Sequence, residues 1–187
     1  MTVHAPSSRR GTEVALRPAR EADVPGLVDL VQAAYRGEGG WTTEAHLVAG
    51  SRTHADEVRA MLADEAVTLL VAEGEEGRVL GCCYTRREPA GEGGIRRAEL
   101  GLFAVHPSAQ SRGLGATLLE AQADRLRAAG VDVLVIQVLQ GRPELHAWYR
   151  RHGFTPTGRS VPFAGQADQL KVDGLGMDVM ERPLQSP

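Results

Sequence analysis

Gly101-Leu102-Phe103-Ala104-Val105-His106-Pro107, followed by Ser108-Ala109-Gln110-Ser111-Arg112-Gly113-Leu114-Gly115-Ala116, reads as a strand that stops at a proline and passes through a glycine loop into a helix. At a helix start, successive backbone N–H groups point outward without intrahelical partners, and the helix dipole favours an anion there. Glycines at 113 and 115 leave no side chain between those amides and a phosphate, so the loop is a competent pyrophosphate cradle. Two common phosphate loops do not fit. A P-loop needs Lys followed by Ser or Thr after the second glycine, where this chain has Ala116-Thr117. A dinucleotide fingerprint needs a third glycine and an acid ending the next strand, but Leu118 and the pair Val138-Leu139 stand there. On these residues alone, a tight strand-to-helix turn with no ligand is the competing account.

Outward from the loop, residues 114–129 form a helix with Leu118, Leu119, Ala123 and Leu126 on one face, and Gly130 sits where a C-terminal cap is wanted. The apolar, β-branched run 131–139 predicts a strand covered on both faces. Pro143 opens a helix that Gly153 ends, and short strands follow over 154–157 and 177–181. Towards the N-terminus, the spacing predicts a strand from Val14 to Pro18, a helix over 21–35, a second over 55–63, and strands over 67–73, 79–86 and 95–105. Residues 1–12 read as a disordered leader and 13–187 as one domain. The order predicts an α/β (α+β) fold: one mixed sheet of six or seven strands with helices packed on it.

The chain has 187 residues, 42% hydrophobic and 24% charged, with a formal net charge of −3, which demotes general nucleic-acid binding. No apolar run approaches the length needed to span a bilayer, and no apolar stretch follows Arg9-Arg10, so neither a membrane protein nor a secretory signal is expected. Cys82 and Cys83 are the two cysteines; adjacent thiols make no disulfide scaffold and no zinc pattern, and a cytoplasmic setting is expected. The six histidines show no His-x-x-x-His pair, so no metal is expected.

The neighbours of the glycine loop sharpen the reading. Val105-His106-Pro107 with Gln110-x-x-Gly113-x-Gly115-Ala116 resembles the acyl-CoA-binding signature of the GNAT family of N-acetyltransferases. Downstream, Ala147-Trp148-Tyr149-Arg150-Arg151-His152-Gly153-Phe154 resembles that family's second signature, an aromatic-Tyr-x-x-x-Gly-Phe helix end, and Val14-Ala15-Leu16-Arg17-Pro18-Ala19 resembles its first strand.

The resemblance implies a mostly antiparallel sheet with a splayed central strand pair, and acetyl-CoA as co-substrate. The coenzyme A diphosphate would lie on the amides of Arg112, Gly113, Leu114, Gly115 and Ala116, preceded by Ser111, and the pantetheine would pair with Phe103, Ala104 and Val105. Gln110 either bonds a phosphate or closes its own loop. Arg142 stands where relatives often have an Asn that bonds pantetheine. Tyr149 matches the tyrosine that protonates or anchors the departing sulfur, and a phenol near pKa ~10 suits a thiolate leaving group. Glu99 is the candidate proton acceptor for the amine, with ordered water as the alternative. Tyr35, Trp41, Thr42 and Glu44 fall where the family builds the acceptor wall; Trp41 is either a lid or a plug that pins the loop. The implied function is transfer of an acetyl group to a small-molecule amine or an amino terminus, by direct attack on the thioester. A non-catalytic acyl-CoA-binding sensor or assembly module is the rival, and a homodimer is common in the family.

Overall fold

The structure is a computed structural model and describes residues 14–37, 43–163, 169–172 and 174–185. The leader expected over 1–12, Trp41 and Thr42 lie outside the described residues. In chain order the elements are β1 (Ala15–Pro18), α1 (Val24–Arg36), α2 (Ala55–Ala63), β2 (Val67–Glu73), β3 (Val79–Arg87), β4 (Arg97–Val105), α3 (Leu114–Ala128), β5 (Val133–Leu139), α4 (Pro143–Arg151), β6 (Thr155–Pro162) and β7 (Gly176–Pro183). The strands form one seven-stranded sheet in the order β1-β2-β3-β4-β5-β7-β6. Every neighbouring pair is antiparallel except β4 and β5, which run parallel.

Helices cover both faces because the strands are apolar on both. On one face, Leu27, Leu30, Val31 and Ala34 of α1 pack on Leu69, Val71, Cys82, Leu102 and Ala104. On the other, Leu118, Leu119, Ala123 and Leu126 of α3 pack on Leu70, Cys83, Ala98, Leu100, Leu134 and Ile136. The final hairpin is longer than its sequence predicts: β6 and β7 each run eight residues. Most β6 side chains are exposed, so no apolar alternation announces that strand.

β4 departs from simple alternation. Ala98 and Leu100 face α3, whereas Leu102 and Ala104 face α1, although all four occupy the same parity. The register explains the switch: Gly101 sits opposite Tyr84 and Ala104 opposite Cys82, three steps on β4 against two on β3. The extra residue is a β-bulge, and Leu102 carries it with φ of +43°, a left-handed backbone that costs a branched side chain on the order of 1–3 kcal/mol. Beyond the bulge the parallel ladder ends. β4 pairs with β5 only from Arg97 opposite Val133 to Leu100 opposite Ile136, and the two strands then separate.

At the far edge of the sheet, Arg17 of β1 holds the entry to α1. Its two terminal nitrogens donate to the Asp23 carboxylate at 2.7 and 2.8 Å, and the Arg20 amide donates to the same carboxylate at 2.7 Å. The Arg17 hydrogen bond holds the Asp23 carboxyl below the ordinary aspartate range against the opposing effect of burial. Asp23 therefore contributes stability that is present above the ordinary aspartate pKa and lost as pH falls through its lowered native value. Asp23→Asn is expected to cost about 1–3 kcal/mol at neutral pH. It should also flatten the acid limb of the stability–pH curve measured by urea unfolding.

Candidate functional site

Past the end of the β4–β5 ladder, a cavity of about 420 Å³ lies between β4, the start of α3 and α4. Its β4 wall is Phe103 and Val105, turned to this face by the bulge. Its floor is the loop and first turn of α3, with Gln110, Ser111, Gly113, Leu114, Gly115 and Ala116. Thr117 N–H donates to the Gly113 carbonyl at 3.0 Å, so the amides of the first three helical residues precede the first intrahelical bond. No side chain caps this end of α3. Gly113 has φ of +82°, the left-handed turn that brings the chain from the loop into the helix. A Cβ on Gly115 would face Trp148, Phe103 and Val105 at 3.6–3.8 Å, inside the cavity wall. Glycine there widens the cavity beside the open amides, as a ligand phosphate requires.

The remaining wall is α4. Leu145, Trp148, Tyr149 and His152 line the cavity from one helical face. Trp148 meets Phe103 edge-on at 5.7 Å and Tyr149 edge-on at 5.0 Å, and His152 stacks on Trp148 at 3.9 Å. Tyr149 also packs edge-on against Phe154 at 5.4 Å, so its ring is fixed on both sides. It is 7% exposed, and burial raises its phenol pKa well above 10, with Tyr35 and Cys83 adding to the effect. A neutral, proton-bearing hydroxyl is thereby fixed at the cavity.

Most of the residues expected to hold the coenzyme thus meet at one place. Ala104 contributes no side chain to it, because the bulge turns that residue into the α1 core. Gln110 closes its own loop: its amide donates to the Val105 carbonyl at 2.9 Å. Arg112 is exposed outside the cavity lining. Arg142 is 1% exposed, pairs with Glu144 and lies 3.9 Å from Glu44. Glu44, expected in the acceptor wall, is buried and accepts from Arg36 at 2.7 Å. These buried charges fasten the segment after α1 to the start of α4, so the geometry makes Glu44 and Arg142 a strut instead of open ligand groups.

Tyr35 also differs from its expected place. It lines the cavity beside β4, and its hydroxyl donates to the Phe103 carbonyl at 2.9 Å. Glu99 lies outside the cavity lining, on the α1 side of β4, directly opposite Arg86. Its carboxylate is 3.9 Å from the Arg86 guanidinium, and burial raises its pKa, an effect Arg86 opposes. Cys82 and Cys83 are both buried, burial pushes their thiols up, and Cys82 donates to the Leu102 carbonyl at 3.3 Å. These are packing groups. Among the described residues no cluster of His, Cys, Asp or Glu could hold a metal ion. Nor is any described helix long and apolar enough to cross a membrane. The sequence reading passed over Leu145, Trp148 and His152 as cavity residues. The signal was their spacing of three and four around Tyr149, which puts them on one helix face.

Residues 65–156 match the model of the acetyltransferase (GNAT) domain. The L-methionine sulfoximine/L-methionine sulfone acetyltransferase of Pseudomonas aeruginosa is 30% identical over 152 residues, 81% of this chain and 85% of that protein. A mycothiol acetyltransferase of Propionibacterium freudenreichii is 29% identical over 147 residues, 78% of this chain; the chain spans 44% of that relative's length. Among solved structures, yncA of Salmonella typhimurium, determined with its cofactor acetyl-CoA, superposes with a TM-score of 0.66 at 23% identity, covering 94% of this chain and 96% of that one. The cavity between splayed strands, the glycine loop and the tyrosine helix thus belong to a protein whose relatives are acetyltransferases: the chain is a member of the GNAT family.

Proposed function

We propose that the chain is an acetyl-CoA-dependent N-acetyltransferase acting on a small-molecule amine or an amino terminus, by direct attack of the amine on the thioester. The observation that carries this reading is Tyr149, a buried, proton-bearing phenol on the wall of a cavity whose floor is a phosphate cradle. The residues present fit coenzyme A. The amides from Gly113 to Ala116 would take the diphosphate, and the β4 edge over residues 103–105, free of β5, would take the pantetheine as an extended segment. Bound acetyl-CoA supplies the activated acyl group.

The chain's own groups manage protons and position. The acceptor arrives as an ammonium and must lose a proton before its lone pair can attack. Glu99 is the group we assign to receive it, through water, since it lies outside the cavity lining. Its raised pKa makes it a better proton acceptor than an ordinary glutamate. As the new C–N bond forms and the C–S bond breaks, the Tyr149 hydroxyl protonates the leaving sulfur, and the second proton released by the nitrogen returns through water to the Tyr149 oxygen. A protein that only sensed acyl-CoA would need the cradle but no phenol fixed beside it, which favours the enzyme reading over a binding module.

Tyr149→Phe keeps the ring and its aromatic contacts, so coenzyme A affinity by calorimetry should change little, while kcat falls. General acid catalysis is typically worth ~10²–10⁴-fold, and a loss in that range is expected. Wild-type kcat in this variant would remove Tyr149 from the chemistry.

Glu99 sets the acid limb of the rate–pH profile in this scheme. Its pKa lies above the ordinary glutamate value, so activity should fall as pH drops through that raised pKa, at a higher pH than an unperturbed carboxylate would give. Glu99→Gln should abolish or displace that limb in kcat/KM for the amine; an unmoved limb would assign proton acceptance to water alone.

A further inference from the structure

On the α1 side of the bulge the sheet face carries a carboxylate–guanidinium pair at one place and a guanidinium with no carboxylate among the described residues at another. Tyr84 of β3 lies across β4 over Gly101, where a Cβ would come within 2.4 Å of the tyrosine hydroxyl oxygen, so only glycine lets the ring lie there. At one end of this platform are Glu99 and Arg86, directly opposite each other on β4 and β3. At the other is Arg52, in the segment before α2. Its guanidinium sits over the Tyr35 ring at 5.2 Å, and its amide is held by the Gln32 side chain of α1 at 3.3 Å. Tyr35 and Gln32 both belong to α1, which places Arg52 on the α1 side of the sheet.

Arg52 differs from the other arginines around the site. Arg36 and Arg142 are tied to buried carboxylates, and Arg86 lies 3.6 Å from Asp64 and 3.9 Å from Glu99. Among the described residues Arg52 meets no carboxylate, yet it is half-buried and held from behind by an aromatic ring. A guanidinium restrained this way keeps its planar donor edge available for a bidentate oxyanion. Tyr35 ties it to the chemistry: the same side chain that carries Arg52 on its face lines the donor cavity and bonds Phe103. Arg52 is therefore one ring away from the site where the thioester would lie.

We propose that Arg52 binds a carboxylate of the acceptor, and that the acceptor is a free amino acid or a close analogue with its carboxylate beside the reacting amine. This rests on the N-acetyltransferase reading above and narrows its acceptor class. A free amino acid brings the carboxylate that Arg52 lacks among the described residues, and its ammonium is the group whose proton Glu99 would receive through water. A protein amino terminus carries an amide at that position and leaves Arg52 without its partner.

The test is steady-state kinetics with acetyl-CoA and a panel of amino acids, each matched with its carboxamide and its decarboxylated amine. The wild type should favour the amino acid over both counterparts by roughly 10-fold or more in kcat/KM, the discrimination expected from one charged hydrogen-bonding pair. Arg52→Gln should raise KM for the amino acid roughly 10- to 100-fold, leave KM for acetyl-CoA unaltered, and bring the amino acid-to-amide ratio towards one. Arg52→Lys, which keeps the charge but not the fork, should fall between. The proposal is overturned if carboxamides or decarboxylated amines are equal or better substrates of the wild type. It is equally overturned if Arg52→Gln lowers all acceptors alike. Calorimetry with acetyl-CoA separates the two readings: binding without turnover of any carboxylate-bearing amine sinks the acceptor proposal alone, and absence of binding sinks the donor reading with it.

Discussion

One extra residue in β4, absorbed at Leu102 with φ of +43°, is the constraint on which the rest of the site depends. It turns Phe103 and Val105 from the α1 side to the α3 side and ends the parallel ladder with β5 at Leu100. Strand edges that would otherwise satisfy each other are left open over a cavity, an arrangement a sheet tolerates only where packing holds it. Here Leu102 and Ala104 are anchored in the α1 core, and the Tyr35 hydroxyl takes up the Phe103 carbonyl. The strain is thereby held by α1, the helix that also carries Tyr35 and Gln32.

The two sides of the bulge then differ in chemistry. On the α3 side are open helix amides, glycines and an apolar wall, suited to a diphosphate and a thin extended arm. On the α1 side are Tyr84, Glu99, Arg86 and Arg52, a polar face with charges of both signs. Tyr35 belongs to both, and Tyr149, walled by Trp148 and Phe154, stands at the cavity with its proton retained by burial. The geometry thus puts a carboxylate on one face and a phenol on the other, the separation that the proposed proton removal and delivery would use.

Much of this was legible in the chain. The glycine loop, the helix after it and the tyrosine helix each carry local signals, and apart from β6, which runs on to Pro162, the elements fall within a few residues of their predicted bounds. The splay was implied only by family resemblance, because the bulge has no sequence mark. Ala98, Leu100, Leu102 and Ala104 look like one unbroken alternating face, and only the register shows that they occupy two. The strut of Arg36, Glu44 and Arg142 was illegible for another reason: Arg142 is far in sequence from the other two, and a lone carboxylate in a loop reads as readily as a ligand group as a buried ion-pair partner. Arg52 gave no signal at all; its meaning comes from which residues do and do not meet it.

The central claim is that the separation of β4 from β5, together with the first turn of α3, is the donor site. Amide chemical shifts recorded while acetyl-CoA is titrated into the isotopically labelled protein test it most directly. The account predicts that the largest perturbations fall on Phe103, Ala104 and Val105 and on Gly113, Leu114, Gly115 and Ala116, with smaller ones on α4 around Tyr149. It would be contradicted by unmoved amides in both segments, or by perturbations gathered instead at the second cavity, beside Gln140, Phe163 and Gly176.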